Sequence, residues 1–166
     1  MGFEIERKFL VRNDNWQKLV TRRTHIRQAY LQVAGQASVR VRIAGSRAAT
    51  LTIKSRPSTL RRLELEYPIP VLEAEALVAL RQGSLIEKTR SLVSCGDLTW
   101  EIDVFSDGNL GLIIAEIELP DEQHSFELPS WIGREVTGQA RYYNGSLALH
   151  PFCSWTEQQN VAASGP

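Results

Sequence analysis

Apolar and charged residues alternate through most of this chain, beginning with Phe3-Glu4-Ile5-Glu6-Arg7-Lys8-Phe9-Leu10-Val11. Period 2 in a segment rich in Phe, Ile and Val predicts a β-strand, with Glu4, Glu6 and Lys8 on one face and Ile5, Arg7 and Phe9 on the other. Asn13-Asp14-Asn15 then supplies an N-cap, and Trp16, Leu19 and Val20 at helical spacing predict a short amphipathic helix to about Arg23. Alternation resumes over residues 25–33, 38–44 and 49–55, with turns at Gly35-Gln36 and Gly45-Ser46. After a break at Pro57-Ser58 a strand is predicted over 60–69, and a Leu-, Ala- and Glu-rich helix over 72–81 lies between Pro70 and Gly83. Three further strands are predicted over 85–94, 98–105 and 112–119. Beyond Pro120 the alternation stops. Residues 131–149 read as short helical pieces closing over the sheet, and 158–166 as a polar tail of the kind that stays disordered.

In order, this is strand, helix and three strands, and then the same five elements again. Glu4-x-Glu6 and Glu64-x-Glu66 fall at equivalent places, sixty residues apart, which implies an internal duplication. Eight antiparallel strands suffice to close a barrel, and closure removes exposed edges. The predicted fold is therefore α+β: a closed eight-stranded antiparallel β-barrel from a duplicated β-α-β-β-β unit. A few short helices lie outside it, with a helical segment near the C-terminus. Residues 1–150 form one domain and 151–166 a tail that is disordered in part.

Composition narrows the chemistry. The 166 residues suit a single domain, and 19 basic against 19 acidic residues leave no net charge. That balance gives no electrostatic case for nucleic acid or an anionic membrane, so functional charge must be local. The two cysteines, Cys95 and Cys153, make neither a disulfide framework nor a zinc site. No apolar run approaches a membrane span, the charged start is unlike a signal peptide, and a cytoplasmic location is expected. The oligomeric state stays open, a homodimer included.

A charged strand face is ordinarily a solvated one. Here paired charges recur at i, i+2 on strand after strand: Glu4 and Glu6 with Lys8, Arg40 and Arg42, Glu64 and Glu66, Lys88 and Arg90, Glu101 and Asp103, Glu116 and Glu118, and Lys54 alone. In a closed sheet that face would line a wet channel, at a cost of several kcal/mol per charge unless the charges are paired, hydrated or neutralised by a ligand. An internal salt-bridge lattice would be a weak stabiliser. Arg and Lys clusters suit phosphate oxygens, and carboxylates without His or Cys suit Mg²⁺ or Mn²⁺ rather than Zn²⁺. A polyphosphate carrying a divalent cation would satisfy both. Tyr142 and Tyr143 read as packing residues, Trp16 and Trp131 as core, His25, His124 and His150 as surface or supporting positions, and Arg7 as outside the site.

These motifs resemble the CYTH superfamily, the triphosphate tunnel metalloenzymes. Glu4-x-Glu6-x-Lys8 is similar to its N-terminal signature, and the other charged pairs follow in the family's order. Gly133-Arg134-Glu135-Val136-Thr137-Gly138, followed by Arg141-Tyr142-Tyr143-Asn144-Gly145-Ser146-Leu147-Ala148, resembles the closing stretch of small bacterial members. The likeness runs from residue 2 to about 149. It implies a metal-dependent hydrolase acting on a small triphosphate, first of all inorganic tripolyphosphate to pyrophosphate plus phosphate. The alternatives are a class IV-type adenylate cyclase, a thiamine or nucleoside triphosphatase, and a non-catalytic polyphosphate or nucleotide sensor. Carried over by position, Lys8, Arg40, Arg42, Lys54, Lys88 and Arg90 would grip phosphate, and Glu4, Glu6, Glu116 and Glu118 would hold Mg²⁺ or Mn²⁺, as two ions. Glu4, Glu6 and Lys8 would act in catalysis, and Glu64, Glu66, Glu101 and Asp103 would support them as water-mediated ligands or as partners that orient the basic residues.

Overall fold

The computed structural model describes residues 2–56 and 61–156, with side chains from 5–56 and 63–156. Alternating apolar and polar positions form β1 (Gly2–Val11), β2 (Val20–Gln32), β3 (Ala37–Ala44), β4 (Ala48–Ser55), β5 (Arg61–Pro68), β6 (Gln82–Cys95), β7 (Leu98–Phe105), β8 (Ile113–Glu118) and β9 (Ile132–Glu135). Helices α1 (Val71–Val78) and α2 (Asn144–Leu149) and several 3-10 turns connect or cover them. No helix among the described residues is long and apolar enough to cross a membrane.

Every pairing is antiparallel, in the order β5-β4-β3-β2-β6-β7-β8-β1-β9, and β1 also pairs with β5. β1 achieves this by dividing one edge. Its Gly2–Ile5 half faces β5 and its Phe9–Val11 half faces β9, while Glu6–Leu10 pair with β8 across the other edge. The ring of β1–β8 therefore returns to its start, as the strand count predicts. Exchanging β1 with β5, β2 with β6, β3 with β7 and β4 with β8 reproduces the same neighbours. The duplicated unit is thus present in the topology as well as in the element order.

Three local expectations are corrected. The first helix is only a 3-10 turn at Asn15–Leu19, because Val20 already enters β2. The β-branched Val20, Thr21 and Thr24 lie on a ladder with β6 that runs from Val20 opposite Val93 to Tyr30 opposite Gln82, and this ladder outcompetes another helical turn. Gly83 does not end a helix: α1 stops at Val78 and Gly83 lies within β6. Among the expected helical pieces stands a strand, β9, whose four residues are too few for their alternation to be read. The Pro57-Ser58 break and the 157–166 part of the tail lie outside the described residues, while Trp155 of the tail stands edge-on to Tyr142 at 5.4 Å between ring centroids.

Outward-facing positions build two apolar layers. Ile5, Phe9, Trp100, Ile102, Ala115 and Ile117 pack under Trp16 and Trp131. Ala29, Val41, Ile43 and Ala49 pack under Ala74 and Val78 of α1. A third cluster belongs to the inward face. Leu10, Tyr30, Ile86, Phe105 and Ile114, at one end of the barrel, meet Val136, Tyr142, Leu147 and Ala148 of the closing segment. That segment is a stopper, and Gly83 lets it close: its φ is +68°, and a Cβ there would lie 2.4 Å from the Ala148 carbonyl oxygen. Leu147→Ala, which empties a fully buried site in the stopper, is expected to cost about 2–5 kcal/mol of stability in urea denaturation.

Candidate active site

Below the stopper the inward positions change from apolar to charged, two residues at a time. β1 reads Leu10, Lys8, Glu6; β6 reads Ile86, Lys88, Arg90; β7 reads Phe105, Asp103, Glu101; β8 reads Ile114, Glu116, Glu118. β3 adds Arg40 and Arg42, β4 adds Thr52 and Lys54, and β5 adds Glu64 and Glu66. A cavity of about 970 Å³ is lined by Glu6, Lys8, Arg40, Arg42, Lys54, Glu64, Arg90, Glu101, Glu116 and Glu118. Lys88 and Asp103 are fully buried and do not border it. Glu66 also lies off the lining, accepting a hydrogen bond from Thr52 Oγ1 at 3.0 Å. Glu4 is placed on β1 opposite Arg62, and its side chain lies outside the described residues.

The charges are shared in a network. Arg90 donates from Nε and Nη2 to the two Asp103 oxygens at 2.7 Å each, from Nη2 to Glu116 at 3.1 Å, and from Nη1 to Glu101. Lys8 donates to Glu116 and to Glu6, the latter at 2.5 Å. Lys88 meets Asp103 at 2.5 Å. Burial opposes the charged form of Glu116, but Lys8, Arg90 and Lys88 outweigh it and hold this carboxyl well below the usual range. Burial also works against Asp103, where Arg90 and then Lys88 likewise prevail. On β4 and β5, Lys54 meets Glu64 at 3.0 Å, and Arg40 lies 3.8 Å from Glu64 and 3.2 Å from Thr52 Oγ1.

Arg42 is treated differently. Its Nε donates to the Gln28 side-chain oxygen at 3.4 Å, a neutral partner. Burial, followed by repulsion from Arg40 and Arg90, pushes its pKa down to about 10. An anion beside Arg42 would relieve that repulsion. On the opposite wall the register sets Glu6 against Glu118 and Glu101 against Glu116. Like charges directly across a ladder destabilise it. Among the described residues no three carboxylate, imidazole or thiol groups converge on one point. A pair of facing carboxylates nonetheless fits a hard divalent cation, which takes one or two carboxylates and completes its shell with water and phosphate oxygens. Glu6, which also meets Lys8, and Glu118 have the right chemistry, and Glu116 is shared by Lys8 and Arg90.

Some lining residues were not anticipated. Tyr143, expected as packing, borders the cavity, whereas Tyr142 is fully buried in the stopper as expected. Asn144, from the same segment, accepts a hydrogen bond from Lys88 at 3.2 Å. Gln28 and Thr52 steady Arg42 and Arg40. Their alternation within β2 and β4 places them on the inward face, and that is the signal that could have found them. Arg7 points away, as expected, to Glu135 at 2.5 Å.

A closed barrel stoppered at one end, with a cationic wall facing carboxylates, defines a tunnel protein for polyanions. The CYTH domain model matches residues 2–150, and the chain belongs to that family. An inorganic triphosphatase of Acetivibrio thermocellus is 45% identical over 158 residues, covering 95% of this chain and 100% of that protein. An inorganic triphosphatase of Nitrosomonas europaea is 36% identical over 150 residues, covering 88% and 97%. A solved crystal structure of an inorganic triphosphatase superposes with a TM-score of 0.65 at 35% identity, over 90% of this chain and 96% of that one.

The buried ammonium has a pH signature. Burial lowers the Lys88 pKa to about 8; Asp103 opposes the shift and Arg90 favours it. Below pH 8 the folded protein bears the full cost of that charge. Between 8 and the ordinary 10.5 it has released a proton that the unfolded chain still holds, so stability rises with pH. Urea denaturation across this window should show wild type gaining on the order of 3 kcal/mol relative to Lys88→Met.

Proposed function

We propose that this chain hydrolyses inorganic triphosphates, tripolyphosphate to pyrophosphate plus phosphate, inside the stoppered tunnel. The observation that carries this reading is the division of the lumen: Arg42, repelled by Arg40 and Arg90 and bonded to a neutral amide, is short of negative charge, while Glu6 faces Glu118 and Glu101 faces Glu116. A triphosphate and a divalent cation together supply what each wall lacks. Identity of 45% over nearly the whole chain to a protein named inorganic triphosphatase supports the same substrate class.

Phosphoryl transfer needs mainly positioning and charge neutralisation. Arg40, Arg42, Lys54 and Lys8 hold phosphate oxygens, and their positive charge stabilises negative charge developing on the leaving phosphates. Arg90 and Lys88 extend the cationic wall, and Asp103 orients both from behind. Glu64 and Glu66 orient Lys54 and Arg40. Glu6 and Glu118, with Glu4 on the same face of β1, hold Mg²⁺ or Mn²⁺, and Glu116 and Glu101 complete the acidic wall. When bound, such a cation neutralises phosphate charge and makes water more acidic.

The defining assay supplies Mg²⁺ or Mn²⁺ with tripolyphosphate, ATP, thiamine triphosphate or pyrophosphate, and follows phosphate and cyclic AMP. Phosphate release from tripolyphosphate is expected to lead, and a chelator is expected to abolish it. Cyclic AMP as the main product would replace this reading with the cyclase, and tight binding without turnover would replace it with the sensor. Glu6→Gln should lower kcat about a hundredfold or more with little change in triphosphate affinity, whereas Arg42→Ala should raise KM as well.

A further inference from the structure

Asn144 is the first residue of α2 and borders the cavity beside Tyr143, Gly145 and Ser146. Its Oδ1 accepts from Lys88 Nζ at 3.2 Å. An ammonium group can only donate, so this bond assigns the amide: oxygen toward Lys88, Nδ2 away from it. No described residue accepts a hydrogen bond from Nδ2. Lys88 itself is fully buried and does not border the cavity. Its charge draws electron density toward Oδ1, which strengthens the Nδ2 hydrogens as donors. The position is also held firmly. A Cβ on Gly145 would lie 3.1 Å from Val33 Cγ1 and 3.5 Å from Tyr30 Cε1, so the helix start sits hard against β2. Leu147 and Ala148 anchor the same turn in the stopper.

We propose that Asn144 is a substrate-binding residue whose Nδ2 donates to a phosphate oxygen at the stoppered end of the tunnel, with Lys88 polarising the amide from behind. The proposal rests on the triphosphatase reading above. The stopper then both closes the barrel and supplies a neutral donor, at a place where the wall would otherwise hold a buried cation without access. A neutral donor adds no further repulsion among Arg42, Arg40 and Arg90.

Asn144→Asp separates this role from a purely structural one. The carboxylate still accepts from Lys88, so a residue that only steadied Lys88 would be replaced without loss. A donor to phosphate would be exchanged for a repelling anion. The expected result is a KM for tripolyphosphate raised roughly ten- to hundredfold, with Asn144→Ala raised less; a KM for Asn144→Asp within twofold of wild type overturns the proposal. A second measurement needs no folded variant. In nitrogen-15 spectra of the wild-type chain, titrated with tripolyphosphate in the presence of EDTA, the Asn144 side-chain protons should move downfield together with lumen backbone signals. Movement of the lumen signals alone overturns the proposal. Absence of wild-type turnover in the standard assay would instead refute the triphosphatase reading, so the two failures are distinguishable.

Discussion

The site depends on one buried guanidinium. Arg90 bridges Asp103 and Glu101 of the neighbouring strand β7 and Glu116 of β8, the strand beyond it. Charges taken out of water are tolerable only when each is matched by partners of good geometry. Arg90 supplies that match for the carboxylates of β7 and β8, and Lys8 shares Glu116 from β1. Burial opposes Arg90's charge, yet Asp103 and Glu116 together raise its pKa well above the ordinary value. Arg42, by contrast, donates to the Gln28 amide oxygen and is repelled by Arg40 and Arg90. The β3 side of the lumen, where Arg42 contacts a neutral amide, is consequently the place prepared for an incoming anion.

Layering along the barrel axis turns that network into a site. The same inward faces that carry Lys8, Lys88, Asp103 and Glu116 carry Leu10, Ile86, Phe105 and Ile114 two residues nearer the stopper. The apolar layer receives Tyr142 and Leu147 and keeps one end closed. Closure removes water from one side of the charged layer, which makes electrostatic interactions there stronger than at an open mouth. Packing and chemistry are consequently set by adjacent turns of one periodic pattern.

Much of this was legible in the order of residues. The one-sided pairs Glu6-x-Lys8, Arg40-x-Arg42, Lys88-x-Arg90 and Glu116-x-Glu118 announced a charged interior face, and the repeated element order announced a two-fold barrel. The apolar ends of the same faces were legible too, since Ile114 stands two residues before Glu116 and Leu10 two after Lys8. What local pattern could not show was which charges would meet. Register across consecutive strands decides it: Arg90 falls opposite Asp103 on β7, with Glu116 beyond on β8, whereas Arg42 falls opposite Gln28 on β2. The place of Asn144 at the cavity was not legible, because an amide in a short polar stretch carries no periodic signal. β9 and the truncated first helix were lost to tertiary pairing, which overrode weak local preference.

If the unevenly compensated lumen is a triphosphate site completed by a divalent cation, calorimetric titration of tripolyphosphate will read that directly. One site per chain is expected, with an affinity that falls when the cation is removed and with binding lost in Arg42→Glu. Full-affinity binding to Arg42→Glu, or a stoichiometry above one, would be incompatible with such a lumen.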